Sequence, residues 1–431
     1  MADFKALFLF LAVMAVNLDF VFSVFLGVNY PFVSTNWLVL PVVLLYVVFS
    51  GHANVVGFLL HNPAIVGYFM ITLASQAFYQ VLHGGAGAGV VQAAVLLQTL
   101  NSLIVFFIFH ELVASQKDVS RYVKFVAIAT VLSTGLLFAI FSGMIGPEVR
   151  ASWVGTRRIE RVGIGDPNIT FAYLCMGCCY WVLLVSRPLS ANKLNAVIAA
   201  ACLIGAALPA ILGLSRAASL AFAACNLLSL ILLVRYFRTT RVLKVLLLGL
   251  FLGSVALTQI NWQRLELLWQ RWSGSYAAGS VEQSASTRVR SAMWLLDQMM
   301  SLPNLYGKGY VEFHSDTGMM GYSHISLVDA YIYGGVVALL LLCSFLARNT
   351  MGLLASMRAE ADAEMRATQL VLLLYVLAIL LILCTLSVLW LKLVWAAFAV
   401  VAKCNLLSRQ RREQLTVEQA GVGDDLYAVV R

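Results

Sequence analysis

The sequence predicts an all-α polytopic membrane protein with about twelve transmembrane helices. Of its 431 residues, 61% are hydrophobic and only 11% are charged, whereas about a quarter of the residues of a soluble domain are charged. The apolar residues also gather in runs of the length that crosses a bilayer as a helix, about 20 residues. The runs lie at about 6–28, 37–57, 62–82, 86–110, 121–146, 167–186, 194–214, 217–234, 243–262, 325–346, 367–386 and 387–403.

The first run is predicted to be a transmembrane helix rather than a cleavable signal peptide. It is too long for the apolar segment of a signal peptide, and no small-residue cleavage site follows it. Asn17 and Asp19 lie inside this run. We therefore expect both side chains to face protein rather than lipid.

The positive charges of the connections predict the orientation, because cytoplasmic loops are rich in Lys and Arg. Such residues recur in every second connection, which places both termini in the cytoplasm. The resulting organisation is nine helices in residues 1–262, a large periplasmic loop in 263–324, three helices in 325–403 and a cytoplasmic tail in 404–431. The net charge of +9 then follows from topology, and we predict no binding to nucleic acid.

Cysteines and carboxylates give no sign of a metal site. Cys175, Cys178 and Cys179 are spaced somewhat like zinc ligands, but no histidine accompanies them and both flanks are apolar. A free cysteine in such a run packs as a small hydrophobic residue. The outer segments hold no carboxylate cluster that would bind Mg²⁺ or Mn²⁺. We expect metal-independent chemistry, no cofactor and no disulfide framework.

Arginines in the segments predicted to lie outside are the main candidates for function. Arg216 lies in a connection of only a few residues, and Arg288 and Arg290 open an amphipathic helix predicted from Ser286 to Ser301. Guanidinium groups bind phosphate oxygens in pairs and keep their charge on burial, and a helix start also favours anions. The set predicts a pocket suited to a lipid-linked pyrophosphate, although sulfate or carboxylate would suit it too.

Two further arginines and one histidine complete the candidate site. Arg158 and Arg161 lie in the outer segment 147–166, where a salt bridge with a neighbouring acid is the alternative role. His324 stands at the start of the tenth predicted span. Its imidazole can take a proton from a hydroxyl near neutral pH, and a structural role is the alternative. Gly334–Gly335, ten residues on, would allow close helix approach.

Three segments of this sequence resemble the O-antigen ligase and polymerase superfamily of bacterial glycan enzymes. They are Leu212-Gly-Leu-Ser-Arg-Ala217, then Ser286-Thr-Arg-Val-Arg-Ser-Ala-Met-Trp294 with Pro303-Asn-Leu-Tyr-Gly-Lys-Gly309, and His324-Ile-Ser-Leu327 with Gly334–Gly335. The family order of Asn and Pro is reversed at Pro303–Asn304, and Ile325 stands where Asn or Ser is usual. The resemblance covers roughly residues 120–350.

The resemblance implies an inverting, metal-independent transferase with a GT-C-like fold. Such an enzyme would move a glycan from undecaprenyl pyrophosphate to a sugar hydroxyl of lipid A-core, on the periplasmic side of the bacterial inner membrane. By position, His324 would be the general base, and Arg216 and Arg288 would hold the pyrophosphate. Arg161, Arg158 and Arg290 are further candidates, and the expected partners are the lipid-linked donor, the acceptor and membrane lipids.

Several alternatives stay open at this point. An O-antigen polymerase would use the same donor with a second lipid-linked glycan as acceptor, and a protein O-oligosaccharyltransferase would use a protein acceptor. A transporter for an anionic substrate would predict broken helices at mid-membrane depth and often internal repeats. The candidate charges lie at the outer rim instead, and the pattern at His324 favours the ligase.

Overall fold

Helices are the only regular structure among the residues that the structure, a computed structural model, describes. Described are segments 2–18, 36–51, 53–83, 89–141, 167–186, 193–207, 216–237, 240–244, 325–384 and 391–428, with single positions at 247, 266, 269, 270, 273, 293, 297, 307 and 389. The predicted all-α class is confirmed for these residues. The number of twelve spans stays a prediction.

The described helices are numbered in chain order. The first six are α1 (Ala2–Asn17), α2 (Asn36–Phe49), α3 (Val55–His61), α4 (Pro63–His83), α5 (Gly89–Leu112) and α6 (Gln116–Phe141). Those that follow are α7 (Pro167–Leu174), α8 (Gly177–Tyr180), α9 (Leu183–Ser186), α10 (Lys193–Ala207), α11 (Arg216–Tyr236), α12 (Ser326–Ala359), α13 (Ala363–Leu383) and α14 (Lys392–Ala428).

Four described helices are long and apolar enough to cross a membrane: Gln116–Leu136, Ala218–Tyr236, Ser326–Ala359 and Ala363–Leu383. The number is five if α3 and α4, which meet at a bend of 96°, count as one broken span. The length and composition of these helices indicate a membrane protein. Helix α14 runs on through the segment predicted as a tail.

The prediction for the second apolar run was wrong at its end. A single span was expected over 37–57, but α2 ends at Phe49 and α3 begins at Val55. Gly51 has a positive φ of 71°, which ends a right-handed helix readily. Asn54 then caps α3, since its side-chain oxygen accepts a hydrogen bond of 2.8 Å from the Gly57 amide.

The run predicted at 167–186 is helical but interrupted, forming α7, α8 and α9. Gly177 packs directly on α10: an added Cβ would lie 1.9 Å from the backbone oxygen of Cys202. Cys175, Cys178 and Cys179 are fully buried free thiols in the hydrophobic core. Their predicted role in core packing is confirmed.

The core is centred on α13, which is apolar on all sides beyond Gln369 and buried along most of its length. A helix of that kind needs neighbours on every side, and α13 packs against α6, α11, α12 and α14. Trp395 of α14 adds an aromatic cluster with Tyr68 and Phe69, at ring distances of 5.8 and 4.7 Å. Asn17 is buried as predicted, whereas Asp19 lies outside the described residues.

Polar contacts gather at one end of the helix bundle, which we call the basic end. Lys5 at the start of α1 pairs with Asp118 of α6 at 3.2 Å. Arg411 of α14 contacts Glu360, between α12 and α13, at 3.4 Å and Gln116 at 3.1 Å. The start of the chain, the α5–α6 and α12–α13 connections and α14 therefore meet there. They are the segments that the charge pattern assigns to the cytoplasm.

Candidate functional site

The described residues contain one of the six predicted site residues. Arg216 is the first described residue of α11. The other five lie outside the described residues: Arg158, Arg161, Arg288, Arg290 and His324. The helix that follows His324 is described, and it begins at Ser326 with Ile325 as its N-cap.

Helices α11 and α12 both run towards the basic end. The guanidinium of Arg358, near the end of α12, donates a hydrogen bond of 3.3 Å to the hydroxyl of Tyr236 at the end of α11. Since a helix rises 1.5 Å per residue, the start of α11 lies far from this contact, and so does Gly335, which is 23 residues before Arg358 in α12. Arg216 and Gly335 therefore both lie towards the other end of the bundle, which we call the opposite end.

Two of the family-like segments meet at the opposite end. Gly307, from the Pro303–Gly309 segment, lies against the backbone of α12 next to the paired glycines. A Cβ at Gly307 would lie 2.5 Å from the Tyr333 oxygen and 2.6 Å from the Gly334 nitrogen. Gly307 also has a φ of 81°, a conformation that favours glycine. The contact brings the second and third segments together.

Helix α12 is broken where Gly307 touches it. Gly335 has φ 72° and ψ −171°, which no other residue in the helix approaches. Gly334 faces α4, since its added Cβ would lie 3.0 Å from the Thr72 hydroxyl. The predicted close approach at the glycine pair is confirmed. It has two partners, α4 and the chain at Gly307.

Asp329 is a buried carboxylate that the sequence reasoning missed. It lies in the first turn of α12, is 3% exposed, and lies near Tyr68 of α4. A charged residue inside a predicted span is itself a signal of function, because burying a charge in a membrane is costly. Asp329 stood inside the run predicted at 325–346 and could have been found in that way.

A second missed group is a buried histidine–carboxylate pair at the basic end. Nδ1 of His110 lies 2.7 Å from the Glu111 carboxylate, and Nε2 lies 3.1 Å from the Asn62 side-chain nitrogen. That nitrogen can only donate, so Nε2 accepts and Nδ1 carries the proton. The Asn54 amide donates to the second oxygen of Glu111 at 3.1 Å. The pair therefore ties the start of α3 and the α3–α4 bend to α5.

Comparison with known proteins gives no family for this chain. No protein-family model matches it, and no curated protein matches it. Its function is therefore inferred from its own residues and geometry.

Proposed function

We propose that this chain is a metal-independent glycosyltransferase that uses an undecaprenyl-pyrophosphate-linked glycan, with O-antigen ligation to lipid A-core as its leading activity. The observation that carries the proposal is the contact of Gly307 with Tyr333 and Gly334. It joins two segments of the family resemblance beside the helix that follows His324. A GT-C-like fold of about twelve spans, in the bacterial inner membrane, belongs to the same proposal.

The reaction needs a base and an anion site on the same side of the membrane. His324 takes the proton of an acceptor hydroxyl, whose oxygen attacks the anomeric carbon of the donor glycan from the side opposite the phosphate. The bond from that carbon to the phosphate oxygen breaks, and the lipid pyrophosphate leaves with the bonding electrons. Guanidinium groups of Arg216 and Arg288 stabilise that anion, with Arg158, Arg161 and Arg290 as further contacts.

The placement of Arg216 supports this arrangement. It lies towards the same end of the bundle as Gly335, in the helix that follows His324. The opposite arrangement, with Arg216 at the basic end, would have separated it from Gly335 by the length of a membrane-spanning helix, about 30 Å.

The test is a transfer assay with purified full-length protein in detergent and EDTA. Undecaprenyl-pyrophosphoryl glycan is the donor, and lipid A-core, a second lipid-linked glycan or pilin is added in separate reactions. We expect product with lipid A-core. Product only between lipid-linked glycans would select the polymerase, product only on pilin would select the protein transferase, and no product from folded protein would reject the transferase class.

A transporter for an anionic substrate is the second candidate. The broken helix at Gly335 and the 96° bend between α3 and α4 are features that transporters use at their substrate sites. In proteoliposomes, a transporter would move the intact lipid-linked donor between leaflets without forming a new glycosidic bond. The proposed transferase would form that bond without any acceleration of movement.

A further inference from the structure

A cavity of about 240 Å³ opens at the basic end. It is lined by the α3–α4 bend, the end of α5, one face of α12 and one face of α14. The α12 face includes Arg348, Gly352 and Ser356 at helical spacing. Gly352 leaves room for α14, because its added Cβ would lie 2.9 Å from the side-chain nitrogen of Asn405.

The lining of the cavity is positive. It includes Arg348, Arg409 and Arg412, and none of the described lining residues is Asp or Glu. Arg409 also pairs with Glu413 at 2.8 Å, and Nε of Arg412 donates to the Ser408 carbonyl at 3.2 Å. Within the described part of the chain, the Arg348 guanidinium has no hydrogen bond or ion pair. The cavity therefore carries a charge that its own walls do not neutralise.

The inner wall of the cavity is polar and buried. His110, Asn62 and Ser356 are 2, 5 and 4% exposed, and all three line the cavity. The Ser356 hydroxyl is buried without a hydrogen-bond partner among the described residues. A buried hydroxyl without a partner is costly, and this one can donate to an anionic oxygen.

An apolar helix lies beside the cavity. Helix α3 ends at His61, a lining residue, and meets α4 at 96°. Val56 and Leu60 of α3 are 68 and 73% exposed. Exposed apolar side chains at the charged end of a membrane bundle are typical of a helix lying at the interface, where lipid chains cover it. Lipid is therefore within reach of the cavity mouth.

We propose that the cavity binds the phosphate headgroup of an anionic membrane lipid, with the acyl chains over α3. Arginines bind phosphate in bidentate fashion, and basic pockets between membrane helices bind anionic headgroups. This site lies at the end of the bundle away from Arg216 and the contact of Gly307 with α12. The inference is therefore independent of the proposed transferase activity.

Native mass spectrometry of the full chain tests the proposal, with phosphatidylglycerol, phosphatidylcholine or inorganic pyrophosphate added separately. We expect one phosphatidylglycerol retained per chain in preference to phosphatidylcholine. Arg348→Gln should weaken that retention about fivefold, the loss typical of one basic residue at a membrane surface. Arg358→Gln is the matched control, because it removes the same charge from the same helix and end, and it should change retention less than about twofold.

Three outcomes would overturn the proposal. They are equal retention of the two lipids, equal loss in Arg348→Gln and Arg358→Gln, or saturable pyrophosphate binding without lipid preference, which would make the ligand a soluble phosphate. If Arg348→Gln does not fold, Ala64→Glu takes its place, because it puts a carboxylate on the cavity lining. Undiminished phosphatidylglycerol retention by folded Ala64→Glu would equally contradict the site.

Discussion

Different kinds of contact hold the chain together at the two ends of the bundle. At the opposite end, Gly307 and Gly334 bring backbone against backbone, and the missing side chains make the contact possible. At the basic end, side chains make the contacts, as in the bond from Asn62 to His110 and the bond from Asn405 to the Asn349 carbonyl. Backbone contact tolerates almost no added atom, whereas a network of side chains loses only the bond that is removed. The two ends should therefore respond differently to substitution.

The largest expected effect is at His324, where the proposed base lies. His324→Ala should lower glycan transfer at least about 100-fold, since a positioned general base contributes roughly 10²- to 10⁴-fold. Membrane insertion and thermal stability should be unchanged. The measurement is initial transfer rate in the acceptor assay, with His61→Ala at the basic end as control. Near-normal transfer by His324→Ala would remove the histidine as base.

Arg288→Lys should have the next largest effect on the transfer rate. Lysine keeps the charge but cannot contact two phosphate oxygens in the fixed geometry of a guanidinium. Loss of one anion-stabilising donor costs about 10²- to 10³-fold in rate, and retention of the positive charge should keep the loss at the lower end. Arg358→Lys at the basic end is the control for the same exchange. An equal effect of the two exchanges on transfer rate would contradict a special role of Arg288.

Substitution of Gly307 should have a smaller effect, and a comparison with Gly51 separates backbone strain from steric collision. Gly307→Ala combines a positive φ with a Cβ 2.5 Å from the Tyr333 oxygen, and we expect a loss of about 2–4 kcal/mol in the free energy of unfolding. Gly51→Ala has a similar φ of 71° but nothing within 4 Å, so only strain remains, about 1 kcal/mol. Thermal or denaturant unfolding in detergent measures both.

A third glycine completes that comparison. Gly135 lies inside α6 with open space around it, so Gly135→Ala should stabilise the protein by up to about 1 kcal/mol. If Gly307→Ala were no worse than Gly51→Ala, the close packing of Gly307 on α12 would be wrong.

The smallest effect is expected in the side-chain network of the basic end. Asn405→Ala removes the 2.9 Å bond to the Asn349 carbonyl between α14 and α12. One such bond contributes about 1 kcal/mol, and the vacated space should widen the cavity rather than separate the helices. Thermal or denaturant unfolding of Asn405→Ala and Gly307→Ala compares the two losses in the free energy of unfolding. A larger loss at Asn405 than at Gly307 would reverse the comparison between the two ends.

Sequence reasoning predicted the regular parts of this molecule and missed parts of its polar network. Apolar runs predicted helices such as α4 and α5 to within a few residues, because burial in lipid demands length and composition alone. The break after Phe49 was not predicted, because it depends on the backbone conformation at Gly51 and the helix cap at Asn54. The buried pair of His110 and Glu111 was missed, because their partners Asn62 and Asn54 are distant in the chain and only the fold brings them together.

The candidate site was predictable in part. Paired glycines at 334–335 predicted close approach, and a helix contact with α4 is found there. The contact with Gly307 was not predicted, because the packing of a single glycine on a helix break leaves no periodic pattern in the sequence. Asp329 was recognisable as a charge inside an apolar run, but the predicted site included only groups at the outer rim.

The most direct test of the account is the side of the membrane that each end faces. Cysteine is introduced in His324→Cys and, at the basic end, in Glu413→Cys, whose native side chain is 60% exposed. Both are treated with a membrane-impermeant maleimide in spheroplasts and in inside-out vesicles, with the unchanged chain as background. We expect labelling at position 324 only from outside and at position 413 only from inside. Labelling of both positions from the same side would contradict the separation of the two ends.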